Sequence, residues 1–98
     1  MASAYYADAE NGDHIDQPTP QALAALIGAL NTTDNTFVTI QPDTDDPTWY
    51  ASVSLLDNGT YKIEHRDTQQ DEHQSITRTD HDNIADDLST WLNNRSPF

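Results

Sequence analysis

The chain has 98 residues, with 17 aspartates and glutamates against four lysines and arginines, so its formal net charge is -13. This length supports one domain, and we predict a single acidic domain over 1–98. Such a negative potential repels nucleic acids and anionic membranes and attracts basic proteins. The chain has no cysteine, which excludes disulfides and thiolate sites and favours a cytoplasmic location. Its start also lacks the basic and apolar regions of a signal peptide.

The first part of the chain predicts a short strand over 4–8 and a few extended residues at His14-Ile15, followed by a helix over 19–31. Thr19 is a natural N-cap residue, and Pro20 suits the first helical position because its missing N–H has no helical partner there. The apolar residues of this helix recur with the spacing of one buried face. They are Leu23, Leu26, Ile27 and Leu30.

The middle of the chain predicts four strands, over 36–41, 48–56, 60–66 and 74–79. Asn58-Gly59 separates the second from the third and is the strongest short signal for a β-hairpin. Alternate residues of 48–56 are apolar, which indicates one buried face. The last strand has a single large apolar residue, Ile76, which indicates either a position at the edge of the sheet or burial on one side only.

The end of the chain predicts a second helix over 80–93, capped by Thr79 or Asp80. Its apolar stripe consists of Ile84, Leu88, Trp91 and Leu92. Its aspartates lie in the N-terminal half, where the helix dipole favours negative charge. The predicted order β-α-β-β-β-β-α is typical of an α+β domain. We expect an antiparallel sheet of about four to five strands, with both helices packed on one face and the other face open.

The sequence offers little chemistry. The four histidines are His14, His65, His73 and His81, and their spacing matches no metal-binding motif. No serine lies in a nucleophile elbow, and the three glycines form no phosphate-binding loop. We therefore predict that the protein is not an enzyme and that it uses no cofactor and no metal.

A binding role has more support. Three acidic segments, 43–46, 57 and 67–72, fall at turns of the predicted sheet, and alternate turns of a meander lie at the same end. The first and third segments should therefore lie close together. Trp49 and Tyr50 follow the first segment directly. Trp49 is more readily explained as a core residue, whereas Tyr50 is the better candidate for an exposed aromatic contact.

The chain resembles the immunity proteins of bacterial polymorphic toxin systems, in particular those that neutralise deaminase toxins. The resemblance rests on the proline-marked entry to the first helix, the strand pair around Asp57-Asn58-Gly59, and the aromatic-leucine end of the second helix at Trp91-Leu92 with Pro97 beyond it. The chain departs from the pattern at Asn93-Asn94, where a glycine is usual. The resemblance implies a tight one-to-one complex that covers the toxin's active site, whose nucleic-acid cleft would be basic.

The leading interpretation is a cytoplasmic immunity protein that occludes the cleft of a nucleic-acid-targeting toxin, a deaminase or a nuclease, and that is a monomer or weak dimer when free. Two alternatives remain open. One is an acidic nucleic-acid mimic that inhibits a DNA-binding protein, and the other is a salt-adapted acidic domain. The predicted partner contacts are the acidic segments and one aromatic residue: Asp43, Asp45, Asp46, Tyr50, Asp67, Asp71 and Glu72.

Overall fold

A computed structural model describes residues 5–42, 48–68 and 71–93 of the chain. The strands and helices, in chain order, are β1 (Tyr5–Ala9), β2 (His14–Asp16), α1 (Pro20–Gly28), β3 (Phe37–Pro42), β4 (Trp49–Leu55), β5 (Tyr61–Asp67), β6 (Glu72–Arg78) and α2 (His81–Asn93). The predicted α+β class is confirmed. The sheet has six strands instead of four to five, because the extended residues at His14–Asp16 pair with β1 as a strand of their own.

All neighbouring strands of the sheet are antiparallel, in the order β2-β1-β3-β4-β5-β6. The chain makes a hairpin, crosses through α1, and then continues as a four-stranded meander into α2. The two edges of the sheet are therefore the three-residue strand β2 and the seven-residue strand β6. Only β6 is long enough to offer an extended strand edge.

The β4–β5 hairpin forms where the sequence predicts it. Gly59 has φ +86, a left-handed conformation that glycine adopts without steric cost. The Asn58 side chain accepts hydrogen bonds from the backbone N–H of Thr60 at 3.1 Å and from its hydroxyl at 2.6 Å. This turn sets Leu55 opposite Tyr61, and that register determines which residues of both strands face the helices.

The core lies between one face of the sheet and the two helices. Alternate strand residues point to this covered face, and five of them are fully buried: Ala7, Val38, Ile40, Ala51 and Val53. The helices contribute the apolar residues that the sequence pattern selects, and those that are at most 1% exposed are Leu23, Ile27, Ile84, Leu88 and Leu92. The hydroxyl of Thr19 accepts a hydrogen bond from the N–H of Ala22 at 3.1 Å and caps α1 as predicted.

The opposite face of the sheet, here called the open face, carries no helix among the described residues. Its side chains alternate with the core residues along the same strands. They are polar or aromatic and are half-buried or exposed: Tyr6, Asp8, Thr39, Gln41, Tyr50, Ser52, Lys62, Glu64 and Arg66. The fold therefore presents a polar sheet surface as well as the outer sides of the helices.

Candidate partner-binding surfaces

The residues that flank the two acidic connections lie at the same end of the sheet, as the meander predicts. The N–H of Thr68 donates to the carbonyl of Thr48 at 2.8 Å, and Trp49 pairs with Asp67 in the strand register. This region, which we call the loop end, contains the β5–β6 turn and both flanks of the β3–β4 connection. The predicted contacts Asp43, Asp45 and Asp46 lie in that connection and outside the described residues.

Two predicted contact residues are accessible at the loop end. Tyr50 is half-buried on the open face, directly across from Arg66 on β5. Asp71 is exposed in the β5–β6 turn, where it has a left-handed φ of 51°. An aspartate tolerates this conformation better than most residues because its short polar side chain bonds locally. These two side chains are therefore available to a partner at this end of the molecule.

The other two described contacts at this end have a different environment from the one expected. Asp67 is only 3% exposed, and Glu72 is half-buried. The sequence analysis treated 67–72 as one exposed connection, but β5 continues to Asp67 and β6 already begins at Glu72. Both residues are paired in the ladder and lie on the covered face with Ile63, so Asp67 has no surface to offer a partner in this structure.

Glu72 joins α2 to the edge of the sheet. Its carboxylate Oε1 accepts a hydrogen bond from the indole Nε1 of Trp91 at 2.7 Å. The Trp91 ring stacks on His65 with ring centroids 4.7 Å apart and meets Trp49 edge-on at 5.5 Å. The prediction that Trp49 is a core residue is confirmed, since it is 9% exposed. The loop end is therefore supported from beneath by aromatic packing.

Tyr5 completes this aromatic cluster from β1. Its ring lies 6.3 Å from that of Trp49 in an edge-on arrangement, and the residue is 5% exposed. Removal of the phenol from water raises the pKa of Tyr5, because the charged phenolate is poorly solvated there. The cluster holds the first strand, the central strand and the end of α2 together, and it serves a structural purpose.

A second acidic surface lies on α2 and was not among the predicted contacts. Four carboxylates are exposed at and near the start of this helix, and we call them the acidic helix face: Asp80, Asp82, Asp86 and Asp87. The sequence analysis explained these residues by the helix dipole and by capping. The available signal was that Asp82 and Asp86 lie one turn apart and off the apolar stripe.

Three of the four carboxylates of the acidic helix face make contacts within the protein. Asp80 caps the helix, because its Oδ1 accepts a hydrogen bond from the N–H of Asp82 at 3.0 Å. The Arg78 guanidinium lies 3.7 Å from the carboxylate of Asp87. The His81 ring lies 3.6 Å from the carboxylate of Asp82. Asp86 has no cationic group within 4 Å among the described residues. The surface therefore keeps most of its negative charge.

The open face has a mixed charge along β5. Lys62 lies 3.2 Å and His73 3.9 Å from the Glu64 carboxylate. The exposed Arg66 has no carboxylate within 4 Å in the described part of the chain. Two of the four lysines and arginines of the chain thus lie on this strand. A basic partner would meet cations here, so this part of the sheet is a poor surface for one.

One histidine and two aspartates form a hydrogen-bonded group on the β1–β2 side of the open face. His14 Nδ1 lies 2.5 Å from Asp8 and Nε2 lies 2.9 Å from Asp16, and all three side chains are about half exposed. The two carboxylates, Asp8 foremost, accept hydrogen bonds from the ring and raise the pKa of His14. Next to it, hydrogen bonds from the N–H and hydroxyl of Thr36 lower the pKa of Glu10. The His14 contacts lie within the first hairpin, and the Glu10 contacts join this hairpin to the residue before β3.

Within the described residues, no group of three or more histidine, aspartate or glutamate side chains is placed to hold a metal ion. Neither described helix has the length and apolar character needed to cross a membrane. The chain matches no family model, no curated protein and no solved structure.

Proposed function

We propose that the protein is an immunity protein that binds the cationic substrate cleft of a nucleic-acid-targeting toxin and blocks it. The observation that carries this proposal is the acidic helix face in a chain of net charge -13. Asp82 and Asp86 are exposed one turn apart on α2, and Asp80 and Asp87 lie before and after them, over about 10 Å along the helix axis. A cleft that binds nucleic-acid phosphates is lined by cations, so a row of carboxylates is complementary to it.

The acidic helix face is also preorganised. α2 is fixed by three buried residues on its inner side, Ile84, Leu88 and Leu92, and by the bond between Trp91 and Glu72. A rigid helix loses little conformational freedom on binding, so more of the electrostatic attraction appears as affinity. The net charge also raises the rate at which the two proteins associate, and this rate falls as the salt concentration rises.

A second set of contacts is proposed at the loop end. Tyr50 and Asp71 are the accessible described residues there, and Asp43, Asp45 and Asp46 belong to the same set. Strand β6 separates the β5–β6 turn from the start of α2 by about 20 Å. The acidic helix face and the loop end can therefore be tested independently as contact sets. Asp67 and Glu72 are left out of the loop-end set because they lie on the covered face.

The test measures binding to the toxin domain that we expect to be encoded beside this gene. Replacing Asp82 and Asp86 by asparagine changes the net charge by +2, and we expect at least about a tenfold weaker complex, since close charge pairs in interfaces are worth more than 1 kcal/mol. The matched control is Gln21→Lys with Ala25→Lys on α1. Both residues are exposed and one turn apart, and the net charge change is again +2.

The control separates a local contact from general charge. If both double variants weaken the complex equally, net charge alone accounts for binding and the acidic helix face is not the contact. Charge reversal of Asp43, Asp45 and Asp46 to lysine tests the loop end in the same assay, and unchanged affinity removes that segment from the interface.

Two further measurements decide between the proposed function and its alternatives. A nucleic-acid mimic would bind several unrelated basic DNA-binding proteins, whereas an immunity protein binds its own toxin. A salt-adapted domain would gain thermal stability markedly in molar salt and would bind no basic partner at moderate ionic strength. Either result, together with no inhibition of the neighbouring toxin, would refute the immunity function.

A further inference from the structure

Strand β6 is an unprotected edge of the sheet. It pairs with β5 on one side over all seven residues, and no described strand lies on its other side. From His73 to Arg78 every residue is exposed, and Ile76 in its centre is one of the exposed large apolar side chains, at 37%. The N–H and C=O groups that point away from β5 can therefore receive another strand.

Several of the devices that usually block such an edge are missing from β6, and its two charged residues on the covered face, Glu72 and Arg78, lie at its ends. Edge strands are commonly protected by proline, by lysines, by a bulge or by being very short. β6 has neither proline nor lysine, its pairing with β5 runs without interruption, and it has seven residues. The other edge differs, because β2 has only three residues and carries the clamped His14.

The sequence of β6 is complementary to itself when read antiparallel. A two-fold axis through Ser75 places Glu72 opposite Arg78 of a second copy, and the reverse pair forms at the other end. Directly opposed residues of opposite charge stabilise an antiparallel pair, and here each pair would form beside the contacts that Glu72 makes with Trp91 and Arg78 with Asp87 in its own copy. Gln74 then faces Ile76 of the second copy, and the two isoleucines are diagonal neighbours, within reach of each other. Moving the axis to Ile76 would instead place Glu72 opposite Asp80.

We propose that β6 pairs with β6 of a second copy of this chain about Ser75, which joins two sheets into one of twelve strands. The pairing adds about six to eight backbone hydrogen bonds and covers the exposed Ile76 side chains. It requires no toxin and leaves Asp82 and Asp86 of the acidic helix face uncovered by the paired strands. Because each copy has a net charge of -13, mutual repulsion opposes the dimer and added salt strengthens it. The toxin complex has the opposite dependence on salt.

Cysteine cross-linking tests the register directly, since the natural chain has no cysteine. In Ser75→Cys the two thiols are opposite each other across the two-fold axis, with Cα atoms about 4.5–5.5 Å apart, which a disulfide spans. Thr77→Cys is the matched control. It lies on the same strand and the same side and is equally exposed, but its two copies would be about 13 Å apart.

Mild oxidation of the purified protein in added salt should link Ser75→Cys several-fold faster than Thr77→Cys. Sedimentation of the unmodified protein should show a monomer–dimer equilibrium that shifts towards dimer as sodium chloride is added. Equal cross-linking of the two variants would overturn the proposal, and so would a protein that stays monomeric at all protein concentrations up to the millimolar range. The edge of β6 would then be available to a strand of a different protein.

A charge exchange gives a second test that does not depend on oxidation. Glu72→Arg and Arg78→Glu each place like charges opposite each other, so each variant alone should lose the dimer. An equimolar mixture restores both opposite pairs and should form a heterodimer, which native mass spectrometry resolves by mass. Circular dichroism identifies a variant that has lost its fold, and the cross-linking pair then decides. Two folded variants whose mixture forms no heterodimer would contradict the pairing.

Discussion

The covered and open faces of the sheet are built from alternate residues of the same strands, yet they differ in what they contribute. Val38, Ile40 and Val53 on the covered face are fully buried, whereas Thr39 and Ser52 between them remain half-buried. Burial of apolar surface stabilises a fold in proportion to the area removed from water. The covered face therefore carries most of the stability, and the open face can change its side chains with little effect on the fold.

The covered face is itself uneven. Where α1 packs on it, the contact is apolar, and Ile27 of the helix and Ile40 of β3 are both fully buried. Beneath the end of α2 it contains the buried polar residues His65 and Asp67, together with the hydrogen bond from Trp91 to Glu72. Apolar contacts depend on volume, whereas a buried polar bond depends on the presence of both partners.

The largest expected effect is on the apolar contact between α1 and the covered face. Ile27→Ala removes a fully buried side chain and should lower the free energy of unfolding by about 2–5 kcal/mol, because apolar contacts are lost and a cavity remains. Denaturant titration followed by circular dichroism measures the change. The control is Gln21→Ala on the exposed side of the same helix, with an expected change within about 0.5 kcal/mol. Similar losses in both variants would contradict the comparison of the two faces.

The next effect concerns the polar part of the covered face. Trp91→Phe keeps an aromatic ring against His65 and Trp49 but removes the N–H that donates to Glu72. We expect a loss of about 1–3 kcal/mol, because a half-buried carboxylate loses its donor as well as some packing. In the double variant with Glu72→Ala, which removes the acceptor, the two losses should not add. Additive losses in the same denaturant titration would show that the two side chains do not act together.

The smallest effect is expected on the open face, at His14. Its pKa in the folded protein lies above the ordinary value of 6.5, so the protonated ring adds stability that is fully present below pH 6.5. That contribution is lost as the pH rises through the folded-state pKa. Asp8→Asn removes the main cause and should lower the His14 midpoint in an NMR titration. The control Asp71→Asn, at the far edge of the sheet, should leave the midpoint unchanged. If the two variants shift the His14 midpoint equally, the raised pKa does not come from the carboxylates beside His14.

Much of the local structure could be predicted from the sequence. The N-cap at Thr19, the Asn58-Gly59 hairpin and the apolar stripe of α2 depend on residues close together in the chain, and the structure confirms all three. α1 ends at Gly28, before the predicted end at 31, although Leu30 is still buried. The strand around Ile76 lies at the edge of the sheet, which is one of the two positions that its single large apolar residue indicates.

The candidate contacts could be predicted less well. Asp67 and Glu72 belong to a polar segment that reads as an exposed turn, and their positions on the covered face follow from the ladder between β5 and β6. The bond from Trp91 to Glu72 joins residues 19 positions apart. Neither the β5–β6 ladder nor the hydrogen bond between Trp91 and Glu72 is indicated by a local sequence pattern.

The sequence by itself determined the charge, the class of fold and the faces of each helix and strand, since composition and short-range periodicity encode them. The tertiary structure alone decided which acids are buried, which are bonded and which form the acidic helix face. The physical reason is that these outcomes depend on strand register and helix placement, which arise when distant parts of the chain share one core.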